Sequence, residues 1–192
     1  IYANSYDDIV VGSPMFKKDT DNYDIGRIDI YVRQIDVKST FSGEDTSYST
    51  FKFKNYSLNG FKARSRFGRT IAKLGDINDD GFQDIAVAAP YDGDDLSGIV
   101  YIFQGNADGL NLIPSQIIKG ADYGLATFGY SMSSVLDLDG NKYPDLIIGA
   151  YKSDAVAFIR SRPVIKAIVS AQTTPRVIDL DSNKHSSCGA FD

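Results

Sequence analysis

Cysteine is almost missing from this sequence: Cys188 stands alone. No disulfide can close within the chain, and a reduced cytosolic protein or a secreted one whose partner cysteine lies downstream would both fit. Histidine is as scarce. The one copy, His185, sits in the polar run Ser182-Asn-Lys-His-Ser-Ser187, where a solvated side chain is expected rather than a catalytic base. No Ser/His/Asp set and no glycine-rich phosphate cradle between a strand and a helix can be found. Long apolar runs are absent too. Stretches such as Asp145-Leu-Ile-Ile-Gly-Ala-Tyr151 fall far short of the roughly 20 residues of a membrane-spanning helix. The chain opens at Ile1 in mid-pattern, with no basic then apolar leader, which reads as an internal piece of something longer. Positive charge is in deficit, the net being -5, and that argues against a nucleic-acid partner. Helical periodicity does not persist beyond about two turns.

What is present is a repeat. Hydrophobic residues make up 43% and aromatics 12%, enough for a packed core. Phe67-Gly68 opens a unit that runs through Leu74-Gly75-Asp76 to Asp84-Ile-Ala-Val-Ala-Ala-Pro90. Phe128-Gly129 opens a second, through Leu136-Asp137 to Asp145-Leu-Ile-Ile-Gly-Ala150. Phe67 to Phe128, Asp76 to Asp137 and Asp84 to Asp145 are each 61 apart. A truncated copy, Tyr6-Asp-Asp-Ile-Val-Val-Gly-Ser-Pro14, begins the chain; its Asp8 precedes Asp84 by 76, so that unit carries about 15 extra residues. The texture is β throughout. Asp84–Pro90 and Asp145–Ala150 are short apolar runs fenced by turn residues, as strands buried on both faces should be. Gly98–Gly105, Gly26–Arg33 and Ala155–Arg160 read as the strands that follow, and Tyr91–Asp95 and Gly105–Gly109 as turns. Four strands in about 60 residues predict an all-β chain of propeller blades, with a solenoid as the competing architecture.

The loops ahead of the apolar runs carry the chemistry. Asp76-x-Asn78-x-Asp80-Gly81-Phe82-x-Asp84 places side-chain oxygens at positions 1, 3, 5 and 9 of a nine-residue loop, and Asp137-x-Asp139-x-Asn141-x-Tyr143-x-Asp145 does the same. Ca²⁺ takes about six to eight oxygens, and the position-7 carbonyls of Phe82 and Tyr143 can add one each. Each loop holds three carboxylates. Two of them about 4 Å apart repel by about 4 kcal/mol at an effective dielectric of 20, so the crowding calls for a cation. An EF-hand is excluded, because its twelfth position would be Val87 or Ile148 instead of Glu. The competing reading, an Asx-rich turn without metal, is hard to sustain for two loops in one register. In the truncated copy position 5 is Asn4 but position 3 is Tyr2 and position 1 is missing, so it is assigned no metal.

With Phe-Gly, an Asp-rich loop and endings Gly12-Ser-Pro14, Ala88-Ala-Pro90 and Gly149-Ala-Tyr151, the units resemble the FG-GAP repeats of integrin α subunits. Gly98-Ile-Val-Tyr-Ile-Phe-Gln-Gly-Asn-Ala-Asp-Gly-Leu110 and Pro114-Ser-Gln-Ile-Ile-Lys-Gly120 look like that family's sixth blade. Arg160-Ser-Arg-Pro-Val-Ile165 looks like the passage from the seventh blade into the thigh domain. The resemblance implies residues 1–162 as the end of blade five plus blades six and seven of a seven-bladed propeller, and 163–192 as the first strand of a thigh-like β-sandwich. It implies the extracellular head of a cell-surface adhesion receptor that pairs with an integrin β subunit, binds extracellular-matrix protein and crosses the membrane once, outside this segment. It implies structural Ca²⁺ in both loops, and Cys188 paired with a cysteine beyond residue 192. Tyr130 matches a position in the aromatic rings that receive a basic β-subunit residue; its counterpart Arg69 would repel that cation unless it turns away. Ser13-Pro-Met-Phe16 leans towards the RGD-binding group and Thr174-Pro-Arg-Val-Ile-Asp-Leu180 towards the laminin-binding group. Asn55-Tyr56-Ser57 is an N-glycosylation acceptor. No enzyme is expected. The alternative function is a secreted or microbial FG-GAP calcium-binding module.

Overall fold

A computed structural model describes residues 7–37, 49–134, 137–165, 167, 169 and 170. Among the described residues twelve strands run in chain order: β1 (Ile9–Ser13), β2 (Arg27–Val37), β3 (Ser49–Asn59), β4 (Thr70–Gly75), β5 (Asp84–Ala89), β6 (Ile99–Phe103), β7 (Gly105–Asn106), β8 (Gly109–Leu110), β9 (Gln116–Lys119), β10 (Phe128–Ser134), β11 (Leu146–Ala150) and β12 (Ala155–Ile159). Among the described residues the only helical turns are 3₁₀ turns at Asp94–Leu96, Gly120–Tyr123 and Tyr151–Ser153. Among those residues no helix is long and apolar enough to cross a membrane.

The strands form antiparallel meanders in the orders β1-β2-β3, β4-β5-β6-β9 and β10-β11-β12, with β7-β8 as a small separate ladder. The fold is therefore a partial β-propeller, and the middle sheet is a complete four-stranded blade. Its second strand explains the stacking. Every residue of β5 is buried. Ile85, Val87 and Ala89 enter one core with Ile28, Ile30 and Val32 of the first sheet. Ala86 and Ala88 enter another with Leu146, Ile148 and Ala150 of the third. Successive side chains of a strand point to opposite faces, so a strand apolar at every position needs a sheet on each side. β6 divides likewise, Tyr101 and Phe103 going one way and Val100 and Ile102 the other.

The expectation of two buried faces fails for β11. Ile147 and Gly149 are only half-buried there, because no sheet among the described residues covers that side. On β12 Val156 is 70% exposed and Phe158 is exposed too, and at the far end Ile9 and Val11 of β1 are exposed. The expected turn at 105–109 is instead the β7-β8 ladder with its connection.

Neighbouring sheets are joined by a backbone junction that occurs twice. Gly26 has φ 78° and Gly98 φ 85°. A Cβ on Gly26 would overlap the backbone of Phe67, and one on Gly98 that of Phe128. The Phe67 and Phe128 amides donate to the Ile25 and Ser97 carbonyls at 3.2 and 2.9 Å. Gly60 and Gly120 donate to Gly26 and Gly98 at 2.9 and 2.8 Å. Left-handed backbone recurs at equivalent places, Asp24 with Leu96 and Arg66 with Thr127. The Phe-Gly that opens each repeat thus belongs to this junction, with the Phe67 and Phe128 rings fully buried. The first strand of the expected β-sandwich, Cys188, Leu136 and the Asn4 and Tyr2 positions lie outside the described residues or at their margin.

Candidate metal centres

The loop Asp76–Asp84 joins β4 to β5, and Asp137–Asp145 joins β10 to β11, so both lie at the same edge of their sheets. The last Asp of each is a tie. Asp84 is fully buried, and its Oδ2 accepts the Ile77 amide at 2.9 Å while Oδ1 accepts the Gly105 amide at 2.9 Å. Asp145, equally buried, accepts Leu138 at 2.9 Å and Ser161 at 3.0 Å in the same roles. One carboxylate so fastens the start of its loop to the end of the blade's third strand. The truncated copy shows the same tie to its third strand: Asp8 Oδ1 accepts the Arg33 amide at 3.0 Å. Burial pushes the Asp84 carboxyl up; the Gly105 and Ile77 amides pull it back, and the Asp80 and Asp76 charges add to the rise.

The first Asp of each loop shapes the turn. Asp76 accepts the amides of Asp80 at 3.0 Å and Gly81 at 2.7 Å. Asp137 accepts those of Gly140 at 2.7 Å, Asn141 at 3.0 Å and Lys142 at 2.6 Å. Desolvation opposes ionisation of Asp137, but the Lys142, Gly140 and Asn141 amides outweigh it and hold its carboxyl below the usual range. Asp80 accepts the Phe82 amide at 2.9 Å, as Asn141 accepts that of Tyr143 at 2.8 Å.

Both loops gather oxygen. Carboxylate oxygens of Asp137, Asp139 and Asp145 lie within 4.8 Å of one another. In the first loop the three carboxylates are not so closely grouped. There Asn78 donates its amide nitrogen to Asp80 at 2.7 Å, while its Oδ1 is buried with no partner. A buried carbonyl oxygen without a donor costs about 1–3 kcal/mol. A cation is the species that would satisfy it amid Asp76, Asp80 and Asp84. The donors are hard oxygens without histidine or thiolate, which suits Ca²⁺ or Mg²⁺ and disfavours softer metals. The residues present therefore fit a divalent cation.

Comparison with known proteins places the loops in a lineage. The FG-GAP repeat family matches residues 67–103, the middle blade. Integrin alpha-V of Gallus gallus is 38% identical over 188 residues, 95% of this chain and 17% of its own length. Integrin alpha-PS2 of Drosophila melanogaster is 41% identical over 191 residues, 93% of this chain and 13% of its own. The chain belongs to the integrin α family. Integrin alpha-7 of Homo sapiens, 36% identical over 190 residues, extends the match to 97% of this chain and 15% of that protein. The segment thus spans about one sixth of the length of the integrin α relatives it matches.

Two further predicted sites are placed by the structure. Asn55 is exposed on β3, opposite Tyr31 of β2. Tyr130 lies on β10, its ring 5.0 Å from that of Tyr151. Arg69 does turn, but onto Tyr130 itself: its guanidinium lies 4.9 Å from the ring centre and donates to the hydroxyl at 3.3 Å. Sequence reasoning missed the Asn78 orphan and the partners of Asp84 and Asp145 across the blade. The recurrence of a small or polar residue 16–25 positions after each position-9 Asp (Arg33, Gly105, Ser161) carries no side-chain signal, because its backbone makes the bond.

Proposed function

We propose that this segment is part of the extracellular head of an integrin α subunit, which pairs with an integrin β subunit and binds extracellular-matrix protein. It is a binding protein and not an enzyme. The observation that supports this best is identity of 36–41% along 93–97% of the chain to integrin α relatives. Residues 1–162 form propeller blades and 163–192 begin a thigh-like β-sandwich, with Cys188 paired beyond residue 192. The subunit sits at the cell surface and crosses the membrane outside this segment.

Ca²⁺ is the structural ion of both loops. Asp76, Asn78, Asp80 and Asp84, with the Phe82 carbonyl, would hold one ion, and Asp137, Asp139, Asn141 and Asp145, with the Tyr143 carbonyl, the other. The bound ion would neutralise charge that the loops otherwise leave crowded; the backbone ties of Asp84 and Asp145 set the loop ends in place before it arrives. Tyr130 receives a basic β-subunit residue, and Arg69, already on that ring, shares or yields the position. Asn55 carries an N-linked glycan.

The test is expression of the complete α subunit with a β subunit in cultured cells. Wild type is expected to reach the surface as a heterodimer, and a variant with Asp84→Ala and Asp145→Ala to remain largely inside the cell. A wild-type α subunit that reaches the surface alone and never co-purifies with any β subunit overturns the reading.

A further inference from the structure

β3 is the outermost strand of the sheet β1-β2-β3, and it is long. It pairs with β2 through eleven residues, from Arg27 opposite Asn59 to Val37 opposite Ser49. The same edge of the middle blade, β9, has only four. A long free edge is a template for pairing with another chain, and proteins blunt such edges with charge, proline, bulges or a cover. No proline and no register shift interrupts β3. Phe53, 48% exposed, adds apolar surface beside the edge. Lys52 and Lys54 flank it and are exposed. Asn55, the next residue, is exposed near the middle of the strand.

We propose that the N-linked glycan on Asn55 is the cover of this edge: it stands on β3 and keeps the strand from pairing with a second copy of the chain. The inference rests on the glycosylation included in the proposed function. In the transfer, the Asn55 amide nitrogen bonds to the anomeric carbon of an oligosaccharide. The bond from that carbon to a lipid pyrophosphate breaks, and the amide proton leaves with the pyrophosphate. No oxidant is needed. In the folded chain Ser57, the hydroxyl residue of the acceptor motif, donates to Asp29 Oδ1 of β2 at 2.6 Å, and the Tyr56 hydroxyl accepts the Leu110 amide at 2.6 Å.

The experiment uses the complete subunit secreted as a soluble heterodimer. Glycopeptide mass spectrometry is expected to find sugar on Asn55. Asn55→Gln is expected to shift part of the sample to dimers of heterodimers and larger species in light scattering. Asn55→Lys, which lacks the sugar but adds a charge to the edge, is expected to restore the wild-type size. Should Asn55→Gln fail to be secreted, endoglycosidase trimming of the folded wild type to one sugar is expected to produce the same association. An unmodified Asn55, an Asn55→Gln or trimmed sample of wild-type size, or equal association of Asn55→Gln and Asn55→Lys overturns the proposal. Pairing with the β subunit, scored on the same samples, reports separately on the proposed function.

Discussion

Asp84 and Asn78 stand six residues apart in one loop and do opposite things. Asp84 is satisfied by two backbone amides, whereas Asn78 leaves an oxygen buried and unpaired. Asp84 is thus architectural even without a metal, and Asn78 holds the oxygen that the proposed ion would satisfy. Asp84→Ala removes the acceptor for two buried amides and is expected to cost about 2–4 kcal/mol by denaturant unfolding, with calcium present or chelated. Asn78→Ala removes the orphan. It is expected to destabilise the calcium-loaded protein and leave the chelated protein unharmed or slightly firmer. Equal losses in both states would separate Asn78 from the metal. A second residue pair lies away from the loops: the buried Tyr101 hydroxyl donates to Asp92 at 2.9 Å. Burial pushes the Tyr101 phenol up, and the Asp92 charge and hydrogen bond push it further. The folded pKa is raised, so its stabilising contribution is whole below the unfolded value near 10 and is lost as pH rises above it. Each such proton contributes a slope of about 1.4 kcal/mol per pH unit. Tyr101→Phe is expected to flatten stability between pH 10 and 11, read by thermal melts at each pH; Tyr56, raised mainly by burial, acts in the same direction.

Among the elements, some were legible in the sequence and some were not. β5 and β6 were, because a run such as Ile85-Ala-Val-Ala-Ala89 is apolar at every position and therefore names both its faces. The acidic loops were legible as connections between strands because Asp, Asn and Gly crowd there between apolar runs. β10 (Phe128-Gly-Tyr-Ser-Met-Ser-Ser134) was not, since its inner residues are small and polar and its register is broken between Phe128 and Ser131. β9 is four residues long and owes its place to pairing with β6. β3, with two lysines and two phenylalanines among polar residues, is held by β2 more than by a core. Edges and inner strands take their identity from neighbours, so local pattern says little about them. The blade junction was half legible: Phe-Gly marked it, but the glycines that receive it, Gly26 and Gly98, stand far off in sequence. Gly98→Ala would put a Cβ against Phe128 backbone at a φ of 85°. It is expected to cost more than about 2 kcal/mol and to impair secretion, whereas Gly124→Ala, with φ 65° but open space around it, is expected to cost only the backbone strain. Comparable losses in the two would remove the junction from the account.

For the molecule as a whole, the two ends of the stack matter most. β1 and β12 expose Ile9, Val11, Val156 and Phe158, which in a closed propeller would face further blades. Residues 1–192 expressed alone are expected to associate or melt without cooperativity, as repeat units stripped of neighbours do. A monomer with one sharp transition would show that the three sheets suffice. Calcium removal is expected to act at this scale too, loosening the edge that carries both loops and raising proteolysis at 76–84 and 137–145 before the sheets themselves open; uniform protection with and without chelator would contradict it.

The doubled junction has a further consequence. Because Gly26 meets Phe67 just as Gly98 meets Phe128, backbone against backbone, the angle from one sheet to the next is set where the sheets meet and copied. How many blades complete the ring is then a matter of angular arithmetic, indifferent to how far β2 and β3 run on beyond that meeting point. That indifference is what lets the first unit carry its extra residues in a long β2–β3 arm: the circumference can be rewritten, by insertion or by sugar, while the circle still closes.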